Sequence, residues 1–386
     1  MGPFRRRSVD AGVARACVMV RVTIASDLAA FADVWPSLAD TGRTDVACAA
    51  WPFQARDYLD VWLKTMGAAR GTRTFFVRVD DADGQLWLLV PLGIERRQGA
   101  KILGFLDGGV VDYAAPIIFP REGRADVSPA DLWEAIFQAL PSFDVLNLEK
   151  VSEYVHDTPN PLFGVCAPDL STDGHVVQLS ETWNAFAKQR LPRASTLRRH
   201  RRKLEERGEV RFVIAETAQQ RADFMAAMIR QKTRRYVETR GVDGFERPGY
   251  RAYFPELTDR LSAQGAIHLS ALMIGDTIVA THWGMVSGKR FYYLMPATEG
   301  GDWQKFSVGG LLTADLIKWC YENGYTAFDL GAGDEPYKYE FEPETLVLRR
   351  FLLGRSLFGK TMVTAWKTLR QLKARLRPTP AAAGAG

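Results

Sequence analysis

The same order of predicted helices and strands occurs twice along the chain. In the first half, apolar residues recur at helical spacing between Asp27 and Gly67, and an alternating pattern over 74–95 predicts a β-hairpin. A strand at 101–105, a helix at 129–140 and a strand at 144–148 are predicted to follow. This half therefore has the pattern of an α/β unit.

The second half begins with helices and then repeats that order. Helices are predicted at 181–189, 195–207, 218–235 and 250–264. Three strands separated by tight turns follow at 266–274, 277–286 and 290–295. A helix that ends at a glycine is predicted at 307–323, and two strands are predicted at 326–330 and 345–353. The repetition predicts two copies of one α/β unit whose sequences have diverged.

A chain of 386 residues is long enough for two such domains, since domains usually hold about 100–200 residues. The proline-rich run 157–172 is expected to be a linker that crosses between them. Either Met1 or Met19 could be the true start. The expected segments are a disordered tail, two domains, a basic amphipathic helix and a second disordered tail, at 1–18, 19–165, 166–355, 356–378 and 379–386.

Composition narrows the class of protein. The longest apolar runs, Leu86–Ile94 and Ala266–Ile274, have about half of the ~20 residues that a membrane-spanning helix needs. The four cysteines are scattered without CxxC spacing, so neither a disulfide framework nor a zinc site is indicated. We therefore expect a cytoplasmic protein without a metal.

Positive charge is concentrated in two segments, although the net charge is only +5. Lys188–Arg207 has nine basic and two acidic residues, and Arg349–Arg377 has nine basic and no acidic residues. Polyanionic partners must be considered at both segments.

The first basic segment predicts a helix with charge around most of its circumference and only Leu197 and Leu204 as an apolar stripe. Arg198, Arg201 and Arg202 are its candidate anion-binding residues. They could bind a phosphate of CoA, an anionic glycan or a transfer RNA, or the helix could simply be solvated.

The second basic segment has apolar residues every three or four positions and basic residues on the other faces. This pattern predicts a basic amphipathic helix. It could lie on an anionic membrane surface at the inner face of the membrane, or supply arginines to a cyclic dinucleotide. Alternatively, its apolar stripe docks on its own domain.

A strand, a glycine-bearing loop and a helix follow one another around residues 304–310. The first backbone N–H groups of a helix lack partners and lie at the positive end of its dipole, so this geometry binds phosphates. Gly309 and Gly310 would let a pyrophosphate approach the backbone. The alternative is that both glycines only allow close packing of the helix on its sheet.

Two motifs of this half resemble a known family. Gln304xxSer307xGly309 resembles a degenerate pyrophosphate loop of the GNAT acyltransferases, with Ser307 in place of the first glycine. The run Phe328–Lys338 resembles the DxGxGDExYK signature of the branch that includes CelD-like polysaccharide acyltransferases, with BioF2-like domains, and is similar to the FemAB peptidyltransferases. The similarity spans residues 20–354, including Asp112-Tyr113 in the first half.

The resemblance implies an α/β (α+β) fold with tandem GNAT-like domains, each a mixed, splayed, mostly antiparallel sheet flanked by helices. It also implies acetyl-CoA or another acyl-CoA as co-substrate. The acceptor would be an amino sugar or another intermediate of an extracellular polysaccharide or adhesin. The residues expected to bind the acyl-CoA are Tyr293, Leu294, Met295, Gln304, Lys305, Ser307, Val308, Gly309 and Gly310.

Amide formation from a thioester needs a base for the amine, donors for the developing oxyanion and an acid for the thiolate. His282, Asp334 or Glu335 could be the base and Tyr337 the acid, while the backbone of Tyr293–Met295 could hold the oxyanion. Alternatively, His282 is a core residue of its strand, and no catalytic residue is compulsory, because positioning alone can supply much of the acceleration.

Further residues of this region are candidates for binding the substrate or an anion, namely Trp303, Asp329 and Lys338. Two other functions stay open. One is a Fem-like aminoacyl-tRNA-dependent transferase, although the sequence shows no long helical-hairpin insertion. The other is a non-catalytic GNAT-like module that binds a nucleotide.

Overall fold

The computed structural model describes residues 7–9, 20–42 and 47–376. Within these residues the strands are β1 Arg7–Val9, β2 Arg21–Ala25, β3 Arg73–Asp80, β4 Leu86–Arg97, β5 Ala100–Phe105, β6 Ile117–Ile118, β7 Val145–Ser152, β8 Tyr154–Val155, β9 Thr158–Pro159, β10 Pro168–Gln178, β11 Val210–Ile214, β12 Ile267–Ile274, β13 Thr277–Ser287, β14 Arg290–Thr298, β15 Ala327–Ala332 and β16 Glu344–Gly354.

The α-helices are α1 Arg56–Trp62, α2 Ala68–Arg70, α3 Pro129–Ala139, α4 Trp183–Gln189, α5 Ala194–Glu205, α6 Ala218–Arg240, α7 Tyr250–Leu261, α8 Val308–Glu322, α9 Pro336–Tyr339 and α10 Leu357–Leu376. Short 3-10 helices occupy Leu28–Phe31, Pro52–Gln54, Gly244–Glu246, Ser262–Gln264 and Gly301–Phe306, and a π-helical turn at Leu63–Gly67 joins α1 to α2. Of the two helices expected between Asp27 and Gly67, the first is thus a single 3-10 turn.

One mixed sheet joins the two halves of the chain. Its strand order is β1-β2-β3-β4-β5-β7-β16-β10-β15-β14-β13-β12-β11, and β6 pairs with β4. From each edge inward, strands pair antiparallel in sequence order until one parallel pair is reached, which is β5–β7 in the first half and β14–β15 in the second. The repeated order that the sequence predicts is therefore present in the sheet.

The two central strands are exchanged between the halves. β16 comes from the end of the chain and pairs with β7 of the first half, while β10 follows the first half and pairs with β15 of the second. The prediction of a crossing linker over 157–172 is wrong at its end, because Pro168 begins β10. A proline is tolerated at the first position of a strand, where its missing N–H breaks no ladder bond.

Helices cover both faces of the sheet in the second half. Tyr292 of β14 packs in the hydrophobic cluster that contains α6 and α7. Its neighbours Phe291 and Tyr293 pack in the cluster that contains α8. Because successive side chains of a strand point to opposite faces, α6 and α8 lie on opposite sides of β14.

The basic helix α5 is anchored by its two leucines. Leu197 and Leu204 are buried, as the sequence predicts, and the other side chains of the helix are partly or fully exposed. Ser195 does not cap the helix. The helix begins at Ala194, after Arg193, which is in a left-handed conformation with φ 53°.

The amphipathic helix α10 docks on its own chain. Val363, with Met362 and Trp366 beside it, packs against a small apolar cluster on β5, β7 and β16. Arg370 makes a bidentate ion pair with Asp169, at 2.6 and 2.9 Å. Of the alternatives for this segment, the structure thus shows a docked stripe.

None of the helices in the described ranges is both long and apolar enough to cross a membrane. The expected tail at 379–386 lies outside the described residues. Most of the expected tail at 1–18 also lies outside them, but its residues 7–9 form β1, which pairs with β2 instead of being disordered.

Candidate active site

The parallel strands β14 and β15 diverge after a short pairing. They pair only at Arg290–Tyr292 with Ala327–Asp329, although β14 continues to Thr298. On its other side β14 contains a bulge, where Tyr293 and Leu294 have no partner in β13. Neither residue therefore has a register partner in the two neighbouring strands, and a wedge opens next to them.

Helix α8 begins beside this wedge. Ser307 adopts a left-handed conformation, with φ 51° and ψ 45°, which turns the chain from the preceding 3-10 helix into α8. A β-carbon on Gly309 would lie 3.1 Å from Cγ2 of Thr298, and one on Gly310 would lie 3.2 Å from Cδ2 of Leu197. The two glycines therefore let the first turn of α8 pack closely against Thr298 and Leu197.

A cavity of about 450 Å³ lies where the wedge, α8 and α6 meet. Because α6 and α8 cover opposite faces of β14, the cavity reaches both sides of the splayed strands. The sequence-predicted residues that line it are Tyr293, Ser307, Gly309, Gly310 and Tyr337. The corner is therefore open and not filled by side chains.

The other residues predicted to bind acyl-CoA do not line the cavity. Gln304 and Lys305 are exposed on the 3-10 helix, and Lys305 pairs with Asp302 at 3.3 Å. Met295 and Val308 are buried in the two hydrophobic clusters, and Leu294 is partly buried against the first of them. Their backbones can still contribute, since the oxyanion and phosphate roles need only N–H groups.

His282 is part of the core. Its ring is fully buried and stacks on Tyr293 with centroids 4.8 Å apart and an angle of 5° between the rings. Burial, with His268 and Lys232 nearby, lowers its pKa well below the usual value. The prediction of a catalytic base here is corrected, because this side chain does not line the cavity.

Asp334 and Glu335 lie in the loop after β15 but outside the cavity lining. Asp334 accepts hydrogen bonds from His175 and Tyr339, both at 3.2 Å, and these outweigh burial and lower its pKa. Glu335 pairs with Lys338 at 2.9 Å. Both carboxylates therefore hold the loop, and the structure does not support either as the base.

Lys338 and Asp329 also hold structure instead of a substrate. The Lys338 ammonium is 3% exposed and donates to the carbonyl oxygens of Gly331, Ala332 and Gly333, at 3.1, 2.9 and 3.0 Å. Asp329 is fully buried and accepts from the hydroxyl of Tyr113 at 2.5 Å. The contacts within the chain occupy the Lys338 ammonium and Oδ1 of Asp329, and burial keeps both side chains away from the cavity, so the structure does not support either as an anion- or substrate-binding group.

The arginines of α5 differ in their surroundings. Nη2 of Arg201 donates to both carboxylate oxygens of Asp315 in α8, with both distances 2.6 Å, so its charge is neutralised. Arg198 and Arg202 are exposed. Trp303 packs partly against the α8 cluster under the guanidinium of Arg207, 5.9 Å from its ring, and does not line the cavity.

Asp112 is a site residue that the motifs quoted above contain but that sequence reasoning did not single out. Its Oδ2 accepts from the backbone N–H of Ala332 at 3.3 Å. A β-carbon built on Gly331, which has φ 73°, would overlap this carboxylate and lie 3.9 Å from the carbonyl oxygen of Tyr293. Burial raises the pKa of Asp112 to about 6 against the opposing charges of Lys150 and Lys338. A carboxylate from the first half therefore sits at the wedge of the second, although, like His282 and Asp334, it does not line the cavity itself. It differs from them in lying where β15 separates from Tyr293 of β14.

Lys232 is a second residue that the sequence did not reveal. It lies in α6, is half-buried and lines the cavity together with Arg235. Burial, together with Arg240 and Arg235 and against Glu335, lowers its pKa to about 8. A lysine within a helix of mixed charge gives no sequence signal of such a position.

In the part of the chain that the structure describes, no group of three or more His, Cys, Asp or Glu could hold a metal ion.

The comparisons with known proteins agree with this geometry. Residues 192–339 match the sequence model described as the Acetyltransferase (GNAT) domain. This segment, which is less than half of the chain, has the sequence pattern of a GNAT acetyltransferase domain. It contains β14, α8, β15 and most of the residues that line the cavity, and the match makes the protein an acyltransferase; domains of this class use acyl-CoA. No curated protein matches the chain in sequence.

Two solved structures are similar over most of the chain. FemX has a TM-score of 0.53 at 10% identity, covering 82% of this chain and 94% of its own. A conserved protein of unknown function from Bacteroides thetaiotaomicron VPI-5482 has a TM-score of 0.50 at 13% identity, covering 85% and 98%. These likenesses concern the fold. The predicted mixed sheet flanked by helices is confirmed, and its order of strand pairing is repeated in the two halves.

The first half lacks an equivalent of the GNAT phosphate loop among its described residues. Its helix between the parallel strands is α3, where two of the first three positions offer no free N–H group. Ser128 caps the helix by accepting from the N–H of Asp131, and Pro129 has no N–H. The carboxylate of Asp131 in the first turn adds negative charge, which opposes a phosphate.

Proposed function

We propose that the protein transfers an acyl group, in the first instance acetyl, from acyl-CoA to the amine of an amino sugar or related intermediate of an extracellular polysaccharide. The observation that carries the proposal is the cavity that joins the start of α8 to the unpaired backbone at the β14 bulge. The acceptor class is supported by the resemblance of residues 328–338 to the CelD-like signature.

The donor occupies the α8 side in this proposal. The positive end of the α8 dipole and its first N–H groups bind the pyrophosphate, and Gly309 and Gly310 leave the space that it needs. The wedge between β14 and β15 admits the thioester. The backbone N–H groups at the β14 bulge, near Tyr293 and Leu294, then stabilise the oxyanion that develops on the carbonyl oxygen.

The acceptor enters from the opposite side of the strands. Its nitrogen attacks the thioester carbon, a C–N bond forms, and the C–S bond breaks. Asp112 accepts the proton that the amine loses, since a pKa of about 6 keeps it ionised at neutral pH. The pKa of Tyr337 is raised by burial and by Tyr293 and Glu335 nearby, so its hydroxyl stays protonated and donates to the departing thiolate.

The experiment is a pair of measurements on the full chain. Calorimetry with acetyl-CoA tests the donor site, and release of free CoA thiol with a panel of amino sugars and their nucleotide-linked forms tests the reaction. We expect binding in both the wild type and Tyr337→Phe, with turnover reduced at least about tenfold in the variant, since a positioned acid or base typically contributes roughly 10²–10⁴-fold. Failure of acetyl-CoA to bind would contradict the proposal.

A second candidate is aminoacyl transfer from a charged transfer RNA, favoured by the fold that the chain shares with FemX. The exposed Arg198 and Arg202 of α5 are available to RNA phosphates, whereas Arg201 is engaged by Asp315. Salt-sensitive binding of charged transfer RNA, followed by transfer of its amino acid, would favour this function. Binding of acetyl-CoA without binding of transfer RNA would exclude it.

A further inference from the structure

We propose that Lys232 is an internal acceptor, whose Nζ the enzyme acylates when the thioester is bound and no other amine is present. The inference rests on the proposed function, because it requires acyl-CoA in the cavity. It makes Lys232, which has no part in the proposed transfer reaction, a site of modification.

The position of Lys232 carries the inference. Its side chain lines the same cavity as Tyr293 and Tyr337 and comes from α6, on the side of the strands assigned to the acceptor. Among the described residues, its Nζ makes no hydrogen bond or ion pair. It lies over the ring of Tyr236, 5.9 Å from the ring centroid. An amine without a partner in an enclosed site is free to reach a bound electrophile.

The charges around Lys232 favour the neutral amine. Arg235 and Arg240 on its own helix disfavour the ammonium, and Glu335 before α9 favours it. On β13, burial and the charge of Lys232 lower the pKa of His282, which is therefore neutral. With a pKa of about 8, a substantial fraction of Lys232 is unprotonated at pH 8, whereas an ordinary lysine with a pKa near 10.4 is almost wholly charged.

The chemistry is that of the transfer reaction with Lys232 in place of the acceptor. The neutral Nζ attacks the thioester carbon, a C–N bond forms and the C–S bond breaks. Tyr337 protonates the thiolate, and the proton that the nitrogen loses passes to Asp112 or to solvent. The products are an N-acyl lysine and free CoA. Because an amide does not return the acyl group, the modification occurs once per chain and occupies the cavity.

The test uses the full chain, acetyl-CoA and no added amine. We expect intact mass to increase by one acetyl group, peptide mapping to place it on Lys232, and transfer activity to fall in parallel. Lys305 is the matched control, since it is exposed on the 3-10 helix beside α8. Acetylation at Lys232 should be at least about tenfold faster than at Lys305, and faster at pH 9 than at pH 7, because the neutral amine is the nucleophile.

Two outcomes overturn the inference in different ways. If calorimetry shows that acetyl-CoA binds but Lys232 is modified no faster than Lys305, the inference is wrong and the proposed function stands. If acetyl-CoA does not bind, both fail. Lys232→Arg should bind acetyl-CoA and take up no acetyl group in the cavity, which separates acylation at this residue from acylation elsewhere.

An independent observation concerns the outward face of α10, and from it we infer that this helix docks on an anionic membrane surface. Of the ten exposed large hydrophobic residues in the described ranges, four lie on this helix. Leu357, Phe358, Leu369 and Leu372 are exposed by 85%, 51%, 55% and 48%. Their spacing places them on the side opposite the docked Val363.

Charge complementarity selects the partner. Residues 349–377 contain nine basic and no acidic residues. Arg370 and Lys367 are paired with Asp169, but Lys360 is exposed and the sequence adds three further basic residues at 373, 375 and 377. An apolar stripe flanked by basic residues binds anionic lipid by burying apolar area and by electrostatic attraction.

Co-sedimentation with vesicles tests this surface. We expect the full chain to bind vesicles of phosphatidylglycerol and phosphatidylcholine but not vesicles of phosphatidylcholine alone, and Leu369→Glu with Leu372→Glu to lose the binding. Val237→Glu with Val242→Glu is the control, since these residues are exposed elsewhere. Equal binding by both double variants would overturn the inference. The inference would also be overturned if the wild type were a dimer and the α10 variant a monomer. The same holds if calorimetry showed that the wild type binds a cyclic dinucleotide and the α10 variant does not.

Discussion

The carboxyl group of Asp112 is held at the wedge of the GNAT domain by burial and by the N–H of Ala332. We expect Asp112→Asn to lower kcat by about 100-fold, because a positioned general base typically contributes roughly 10²–10⁴-fold. The wild-type rate should rise with pH through about 6, as Asp112 loses its proton, and the variant should lack this limb. Thiol release measured from pH 5 to 8 checks both expectations.

The same substitution should stabilise the fold. The pKa of Asp112 is about 6 when folded and near 3.9 in an unfolded chain, so the native protein loses stability as pH rises from about 4 to 6. The amide side chain of the Asp112→Asn variant has no charge to bury, and the unfolding free energy of the variant at pH 7 should exceed that of the wild type by about 1–3 kcal/mol. Urea unfolding at pH 4 and pH 7 measures the difference, which should vanish at the lower pH.

Asp334→Asn is the matched control for the choice of base. The carboxylate of Asp334 is engaged by His175 and Tyr339 in the loop after β15, so its substitution should change kcat by less than about threefold, well below the loss expected for a general base. A loss equal to that of Asp112→Asn would assign the base to the loop after β15 and contradict our choice.

In the proposed mechanism the first turn of α8 binds the pyrophosphate, so a charge placed there should act on the donor alone. We expect Gly309→Asp to weaken acetyl-CoA binding at least about 100-fold, because the carboxylate opposes the pyrophosphate and occupies its space. Its β-carbon would be 3.1 Å from Thr298, which the side chain can accommodate by a small shift. Lys318→Glu, an exposed charge change on the same helix, should leave binding within about twofold. Calorimetry with both variants decides, and unchanged binding by Gly309→Asp would move the donor elsewhere.

The elements were predictable from the sequence where their patterns are local. The hairpin β3–β4, the meander β12–β14 and the helix α8 follow from alternation, turn residues and a glycine stop. β10 was missed because Pro168 and the prolines before it indicate a loop, while its place between β15 and β16 is fixed by long-range pairing. Asp112 was not singled out for the same reason, since it meets the wedge across 220 positions of sequence.

At the scale of the whole molecule, the two halves meet in a buried polar cluster as well as through exchanged strands. Asp329 of the second half accepts from Tyr113 of the first at 2.5 Å, and Arg290 lies 3.5 Å from its other oxygen. Burial raises the pKa of Asp329 despite Arg290 and Tyr113. Asp329 pairs with Tyr292 at the end of the β14–β15 pairing, where the wedge begins. Because Tyr113 binds Asp329 there, the first half fixes the geometry of the site in the second.

This coupling predicts the effect of Tyr113→Phe. The substitution removes one hydroxyl and leaves Oδ1 of Asp329 with only the N–H of Gly331 at 2.8 Å, so it should lower the unfolding free energy by about 1–3 kcal/mol. Tyr58→Phe is the control, because its hydroxyl donates to the carbonyl of Val110 within the first half. Both variants should lose stability in urea unfolding, but only Tyr113→Phe should also lower kcat, since it alone loosens the contact that places Asp112 beside β15. Equal kcat in the two variants would mean that the first half stabilises the acyltransferase domain without positioning its base.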